Sequence, residues 1–267
     1  MIAIIHEFFQ PLIRQRQLIV AMARREIASQ YIGSMLGFLW TFIQPAVMIF
    51  VFWFVFSVGF KTKPMNGAPF VVWLAAGLAP WFLFADIITR SAGSVVSQGH
   101  LIKKTVFPSQ ILVAVKGVTA LVTHGAFLLL LVMLMIFQHI GFTIYALQLF
   151  YYLGCLSVLA IGMGWALSAL NVFMRDVGQI VGVVMQVGFW VTPVFWDIQM
   201  MSPAVQKVLK LNPVYYVVQG YRDSLIDHIP FWHRPCYTLY FWVVAVVCLL
   251  VGMFVFRRLK GHFADVL

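Results

Sequence analysis

Six apolar windows dominate the chain, near residues 36–60, 70–90, 110–138, 144–171, 178–196 and 237–256. A hydrocarbon layer about 30 Å thick is crossed by about 20 apolar residues, each adding about 1.5 Å of helix. The windows therefore predict six membrane-spanning helices and an all-α, polytopic fold. The fifth is the weakest, because Gly178, Gly182, Gln186, Gly188 and Pro193 make it short and interrupted. Composition agrees: 63% of the 267 residues are hydrophobic and only 10% are charged, against about a quarter charged in an ordinary soluble domain. Eight acids and 18 bases are too few to cover a globule of this size unless lipid covers part of it.

The net charge of +10 reads as topology. Arg14, Arg16, Arg24, Arg25, Arg90, Lys103, Lys104, Lys116, Arg175, Arg257, Arg258 and Lys260 fall on one side of the spans, and Lys61, Lys63, Lys207, Lys210, Arg222 and Arg234 on the other. The positive-inside rule puts the richer side, with both termini, in the cytoplasm of a cell whose inner (plasma) membrane holds the chain. The bases flank apolar segments instead of forming one face, so no nucleic-acid partner is expected. Cys155, Cys236 and Cys248 suggest neither a disulfide framework nor a metal site. The start, Met1 to Glu7, has no basic region followed by a long apolar run, so no cleavable leader is expected.

Three parts follow. Residues 1–35 hold a cytoplasmic amphipathic helix: from Leu12 to Ile32, Ile19, Ala23, Ile27 and Tyr31 recur at helical spacing, with Arg14, Gln17, Arg24 and Arg25 elsewhere on the wheel. A soluble arm is the alternative. Gly33-Ser34 and Gly37 give the turn into the membrane. Residues 36–257 form the six-span unit, and 258–267 a cytoplasmic tail. In the outer loop at 197–235, Ser202-Pro203 and Asn212-Pro213 each have the chemistry of a helix start, predicting two short amphipathic helices within 203–227.

The chain has no glycine-rich phosphate loop with a following Lys, no H-E-x-x-H and no spaced Ser, His and acid, so it is not read as an enzyme. Energy must come from a gradient or from a partner. A gradient-driven carrier needs ionisable groups inside its spans, and few are present. Asp86 and Arg90, four apart, read as a local ion pair, His124 as a neutral side chain bonded to another helix, and Lys116 as snorkelling towards the cytoplasm. Phe38, Phe42, Trp53, Phe56 and Phe60 fall within about 60° on a wheel of about 100° per residue. Such a stripe suits the C–H faces of sugar rings along a path, or simply lipid contact. Gln179, Gly182, Gln186, Trp190 and Pro193 share a face of the fifth span, either lining a path or packing helices. Ala160, Gly164 and Ser168 have the small-xxx-small spacing of close helix packing.

The order of several segments resembles the type-2 ABC exporter permeases, the membrane subunits that export O-antigen, capsular polysaccharide and teichoic acid. The matching residues are Arg24 to Tyr31, Ser34 to Trp40 with Gln44-Pro45, Gly77 to Trp81, Leu101 to Pro108, Asn171 to Val177 and Thr192 to Trp196. Asn212-Pro213, Tyr221-Arg222 and Leu259 to Asp265 complete the series. The likeness is greatest to O-antigen exporters and runs over nearly the whole chain. Gln30 departs from it, since many relatives carry a base there.

The resemblance implies a homodimer of six-span subunits, each docked to a cytoplasmic ATP-binding subunit that uses ATP and Mg, with no cofactor bound by this chain. A polysaccharide linked to polyprenyl pyrophosphate would pass between the protomers, past surrounding membrane lipids. Phe38, Phe42, Trp53, Phe56, Phe60, Gln186 and Trp190 would line the channel. His100, Lys103, Lys104 and Phe107, within 98–108, would couple to the ATPase. Arg24, Arg25 and Tyr31 would guide the lipid head, and Pro213, Tyr221 and Arg222 would belong to the outer gate. A drug exporter of the same class and an ion-coupled carrier are the rival readings.

Overall fold

The computed structural model describes residues 2–62, 67–104 and 107–267, with the backbone alone over 2–7. Lys63, counted on the outer side, and Thr105 and Val106, inside the segment 98–108, lie outside the described residues. In chain order the helices are α1 (Ile2–Arg14), α2 (Arg16–Gln30), α3 (Trp40–Trp53), α4 (Phe70–Ala92), α5 (Ser94–Ser97), α6 (Gly99–Lys104) and α7 (Ile111–Phe137). They continue with α8 (Gln148–Phe173), α9 (Asp176–Val191), α10 (Pro203–Leu209), α11 (Pro213–Arg222), α12 (Pro235–Lys260) and α13 (Phe263–Val266).

Among the described residues, five helical stretches are long and apolar enough to cross a membrane: Gly37–Gly59, Phe70–Ala92, Ile111–Phe137, Ile144–Phe173 and Pro235–Lys260. The remaining window yields only the 16 residues of α9, about 24 Å of helix against about 30 Å of hydrocarbon. Thr192 ends it in an extended conformation, φ −73° and ψ 132°, as the residue before a proline prefers. By length, then, five of the six predicted spans are long helices, and the fifth window, already the weakest by its glycines and Pro193, is a short apolar one.

The helix predicted from Leu12 to Ile32 is two helices meeting at Gln15. The position of α1 is set by partners distant in sequence: the Phe8 ring lies 5.1 Å from Trp165 and 6.0 Å from Phe256. Gly33 and Gly37 turn the chain from α2 into α3 with φ of 80° and 50°, values that only glycine adopts without strain.

The hub of the bundle is α4. Of its most apolar window 78% is buried, against 6% for the first span, so α4 is wrapped by α7, α8, α9 and α11 while α3 lies on the rim. Between helices that lipid would solvate equally well, close contact has to come from small residues. Ala160, Gly164 and Ser168 are indeed buried, and a Cβ on Gly164 would stand 2.9 Å from Val113 Cγ1 and 3.0 Å from Ser91 Cβ. The tightest crossing is one the spacing did not suggest. A Cβ on Gly252 would meet the Gly162 carbonyl oxygen, which brings the α12 and α8 backbones together.

Candidate functional site

At one end of the bundle a charged cluster fastens α2. Ile19 and Ala23 bury one face of that helix against Ile111 and Val115 of α7, which leaves Arg24 and Arg25 exposed on the other. Between those faces Glu26 Oε1 accepts from Lys116 Nζ at 2.8 Å and stands 3.9 Å from Arg90 Nη1, while Arg90 Nε donates to Asp86 Oδ1 at 2.5 Å. The expected Asp86–Arg90 pair is thus one part of a four-residue network. Lys116 is held by an acid 90 positions away instead of merely reaching for water. Tyr31 links the end of α2 to α3, its hydroxyl 2.6 Å from Thr41 Oγ1 and its ring 6.1 Å from Phe38. A crevice of about 810 Å³ opens beside it, lined by Tyr31, Gln44, Asp86, Arg90 and His124 among others.

At that same end α6 presents His100, Lys103 and Lys104 to the exterior. Phe107 does the opposite, tucking partly into the apolar clusters beneath. The C-terminal Leu267 side chain packs on Gly99, Lys260 Nζ donates to Gln110 Oε1 at 2.9 Å, and Phe263 is buried against Phe256 at 5.4 Å. Both ends of the chain and α6 therefore form one layer.

The aromatic stripe of the first span is not one face. The turn at Phe54–Gly59 is π-helical, with more residues per turn than an α-helix, so a wheel of constant angle fails there. Trp53 lines a groove with Val71, Leu130 and Met133, whereas Phe56 packs on Phe70 and Phe195 at 5.9 and 5.3 Å. Phe38 and Phe42 pair at 5.9 Å near α2, and the exposed Phe60 sits 5.5 Å from Phe56. The rings that join α3 to α9 include three that the sequence reading missed: Phe52 lies 5.6 Å from Phe189 and 6.0 Å from Phe195. The signal for Phe189 and Phe195 was the aromatic density around Pro193. Trp190 touches Phe195 at 4.9 Å yet stays 55% exposed, and Gln179 and Gln186 share its open side.

At the opposite end both predicted helix starts are present. Asn212 Oδ1 accepts from Val214 N at 3.0 Å to cap α11, and Pro203 and Pro213 open α10 and α11. Pro213 is half-buried, but Tyr221 and Arg222 are core residues, 0% and 1% exposed. The Tyr221 hydroxyl lies 3.0 Å from His124 Nε2, the interhelical bond expected for that histidine. Arg222 reaches back to α4, its guanidinium carbon 3.4 Å from the centre of the Trp73 ring. Among the described residues, no group of three or more His, Cys, Asp or Glu side chains could hold a metal ion.

A family model described as "ABC-2 type transporter" matches residues 17–226. An O-antigen export system permease protein of Myxococcus xanthus is 28% identical over 269 residues, covering 99% of each chain. The corresponding protein of Klebsiella pneumoniae is 25% identical over 254 residues, covering 94% of this chain and 95% of its own. A polysialic acid transport protein of Escherichia coli is 22% identical over 214 residues, 79% of this chain and 82% of its own.

Proposed function

Because the chain belongs to the ABC-2 type transporter family, we propose that it is the membrane subunit of an ATP-driven polysaccharide exporter. Its cargo in this reading is an O-antigen-type polymer carried on a polyprenyl lipid, moved from the cytoplasmic to the outer side of the inner membrane. The observation that carries the reading is the likeness to O-antigen export permeases over almost the entire chain, 94% in one relative and 99% in another. A capsular polymer is the second reading, favoured by the likeness to the polysialic acid transport protein over 79% of the chain.

The layer holding α6 and the chain ends faces the cytoplasm in this proposal. There His100, Lys103, Lys104 and Phe107 dock a separate ATP-binding subunit, which hydrolyses ATP. The short α9 completes six spans, with the segment from Thr192 onwards reaching the outer surface. Two chains pair through the sparsely covered sides of α3 and α9, where only Thr41, Pro45, Ile49 and Val181 are buried within one chain. Phe38, Phe42, Phe56, Phe60, Gln186 and Trp190 then line the path, and Trp53 braces α3 on α7. Ring faces and an amide hold a polar, uncharged chain without a deep minimum, so it slides. Arg24, Arg25 and Tyr31 guide the anionic lipid head, and α10 and α11 close the outer end.

The test is deletion and complementation in the producing cell. Loss of surface polysaccharide, restored by the wild type but not by a Lys103→Glu, Lys104→Glu variant that no longer co-purifies with the ATPase, supports the proposal. Normal surface polysaccharide after deletion contradicts it.

A further inference from the structure

A cavity of about 320 Å³ opens between α10, α11, the turn at Ile198–Met200 and the start of α12. Its wall is unlike a packed core. Gln206, Tyr215, Gln219, Asp223, Arg234 and Tyr237 all face it. The Asp223 carboxylate is 5% exposed, accepts from Gln219 Nε2 at 2.8 Å through Oδ1, and lies 3.3 Å from Arg234 Nη1 through Oδ2. The hydroxyls of Tyr215 and Tyr237 take no part in hydrogen bonds among the described residues. Polar capacity is left over where the fold does not use it.

The walls are also rigid. A Cβ on Gly220 would overlap the Tyr152 ring, which fixes α11 against α8. Tyr216 is held at both sides, its hydroxyl 3.2 Å from Tyr151 Oη and 3.0 Å from Thr238 Oγ1. A site built before its ligand arrives loses less entropy on binding.

The chemistry selects a class of ligand. A buried carboxylate beside an amide receives and donates hydrogen bonds to vicinal hydroxyls, and an aromatic face takes the apolar C–H side of a ring. The charges lining the cavity balance, with Asp197 and Asp223 against Lys210 and Arg234, so a polyanion gains nothing there. The volume is at the small end of ligand sites, which run from about 300 to 1,000 Å³, enough for about one or two pyranose rings.

We infer that this cavity binds an uncharged, hydroxylated sugar unit of the exported polymer, at the end of the bundle from which the polymer leaves. The inference rests on the proposed export function and names a holding point that the channel faces of α3 and α9 do not supply. A chain gripped at the far end resists slipping back between strokes.

The test uses the full-length protein in lipid nanodiscs, titrated calorimetrically with the surface polysaccharide released from the producing cell by mild acid. Saturable binding is expected, weakened about tenfold by Tyr237→Ala and by Gln219→Leu, each removing about one ring contact or hydrogen bond. Tyr237→Phe, which keeps the ring and loses one hydroxyl, should weaken binding less than Tyr237→Ala, and Leu239→Ala, on an exposed stretch of α12, should bind within about twofold of wild type. Saturation-transfer NMR on the unaltered protein gives an independent readout that needs no variant: transfer from aromatic protons to sugar C–H groups is expected. Equal affinity across all variants, or absence of transfer, overturns the inference. Absence of binding by a chain that restores surface polysaccharide in the deletion strain also overturns it while leaving the export function intact. Unaltered surface polysaccharide in that strain overturns the export function instead.

Discussion

Gly77 leaves the space that the Arg222 guanidinium fills: a Cβ at residue 77 would lie 2.5 Å from Nη2 of that arginine and 2.9 Å from the Val194 carbonyl oxygen. The same guanidinium donates to Pro193 O at 2.9 Å and to Val194 O, and stacks on Trp73. One side chain of α11 thereby holds α4 and the segment that ends α9. The carbonyls it satisfies lie just past the end of α9, where the chain runs non-helical and they have no helical partner, so the short span and the buried arginine are two halves of one arrangement.

Gly77→Ala should lower stability by about 2 kcal/mol, because neither a backbone carbonyl nor a planar guanidinium held on three sides can yield easily. Arg222→Lys should cost about as much, since an ammonium cannot reproduce the fork that meets two carbonyls. Thermal unfolding in detergent reads both, and a wild-type midpoint for Gly77→Ala would contradict the packing described.

Glu26 holds α2 through Lys116 and Arg90. Glu26→Gln leaves two cations facing one another without their shared acid, at a cost of about 1–3 kcal/mol. Amide exchange over Arg16–Gln30 should rise with little change in α8, and export should fall. Equal protection of α2 in wild type and variant would show that the apolar contacts of Ile19 and Ala23 suffice.

The phase change at Phe54–Gly59 separates two tryptophans that sequence alone groups together. Trp190→Ala should slow export several-fold while the complex still assembles. Trp53→Ala, at a half-buried ring over the groove against α7, should lower stability by about 1 kcal/mol and affect export only through it. Export that is unchanged in Trp190→Ala would return the open face of α9 to simple lipid contact.

Burial raises the pKa of Asp223, while the Gln219 amide and the Arg234 and Arg222 guanidinium groups oppose the rise. A carboxyl with a folded pKa above its unfolded one binds its proton more tightly when folded. Its stabilising effect is therefore complete below the ordinary value of about 4 and lost as pH rises through the raised one. Relative to Asp223→Asn, the wild type should gain stability as pH falls from about 7 to about 4. A difference in midpoint that stays constant over that range would contradict this.

What the sequence made legible was whatever repeats locally. The apolar windows, the glycine turn before α3, the proline starts of α10 and α11 and the Asp86–Arg90 pair are all written within a few residues of one another. What it hid was set by long-range pairing: Glu26 with Lys116, Phe8 with Trp165, Gly162 with Gly252. The burial of Arg222 was hidden for the same reason, since the Trp73 ring and the Pro193 carbonyl that surround it come from distant parts of the chain. The wheel of the first span failed for a different cause, a local change of helix type that apolar residues do not announce.

The central claim is that this chain supplies the passage and a second polypeptide supplies the energy. It is tested most directly in sealed vesicles containing either the purified chain alone or the chain with its ATP-binding partner, loaded with lipid-linked polymer on the side of α6. The account predicts that polymer reaches the far side only with both proteins and hydrolysable ATP. Sustained transfer by the chain alone, with no nucleotide present, would contradict it.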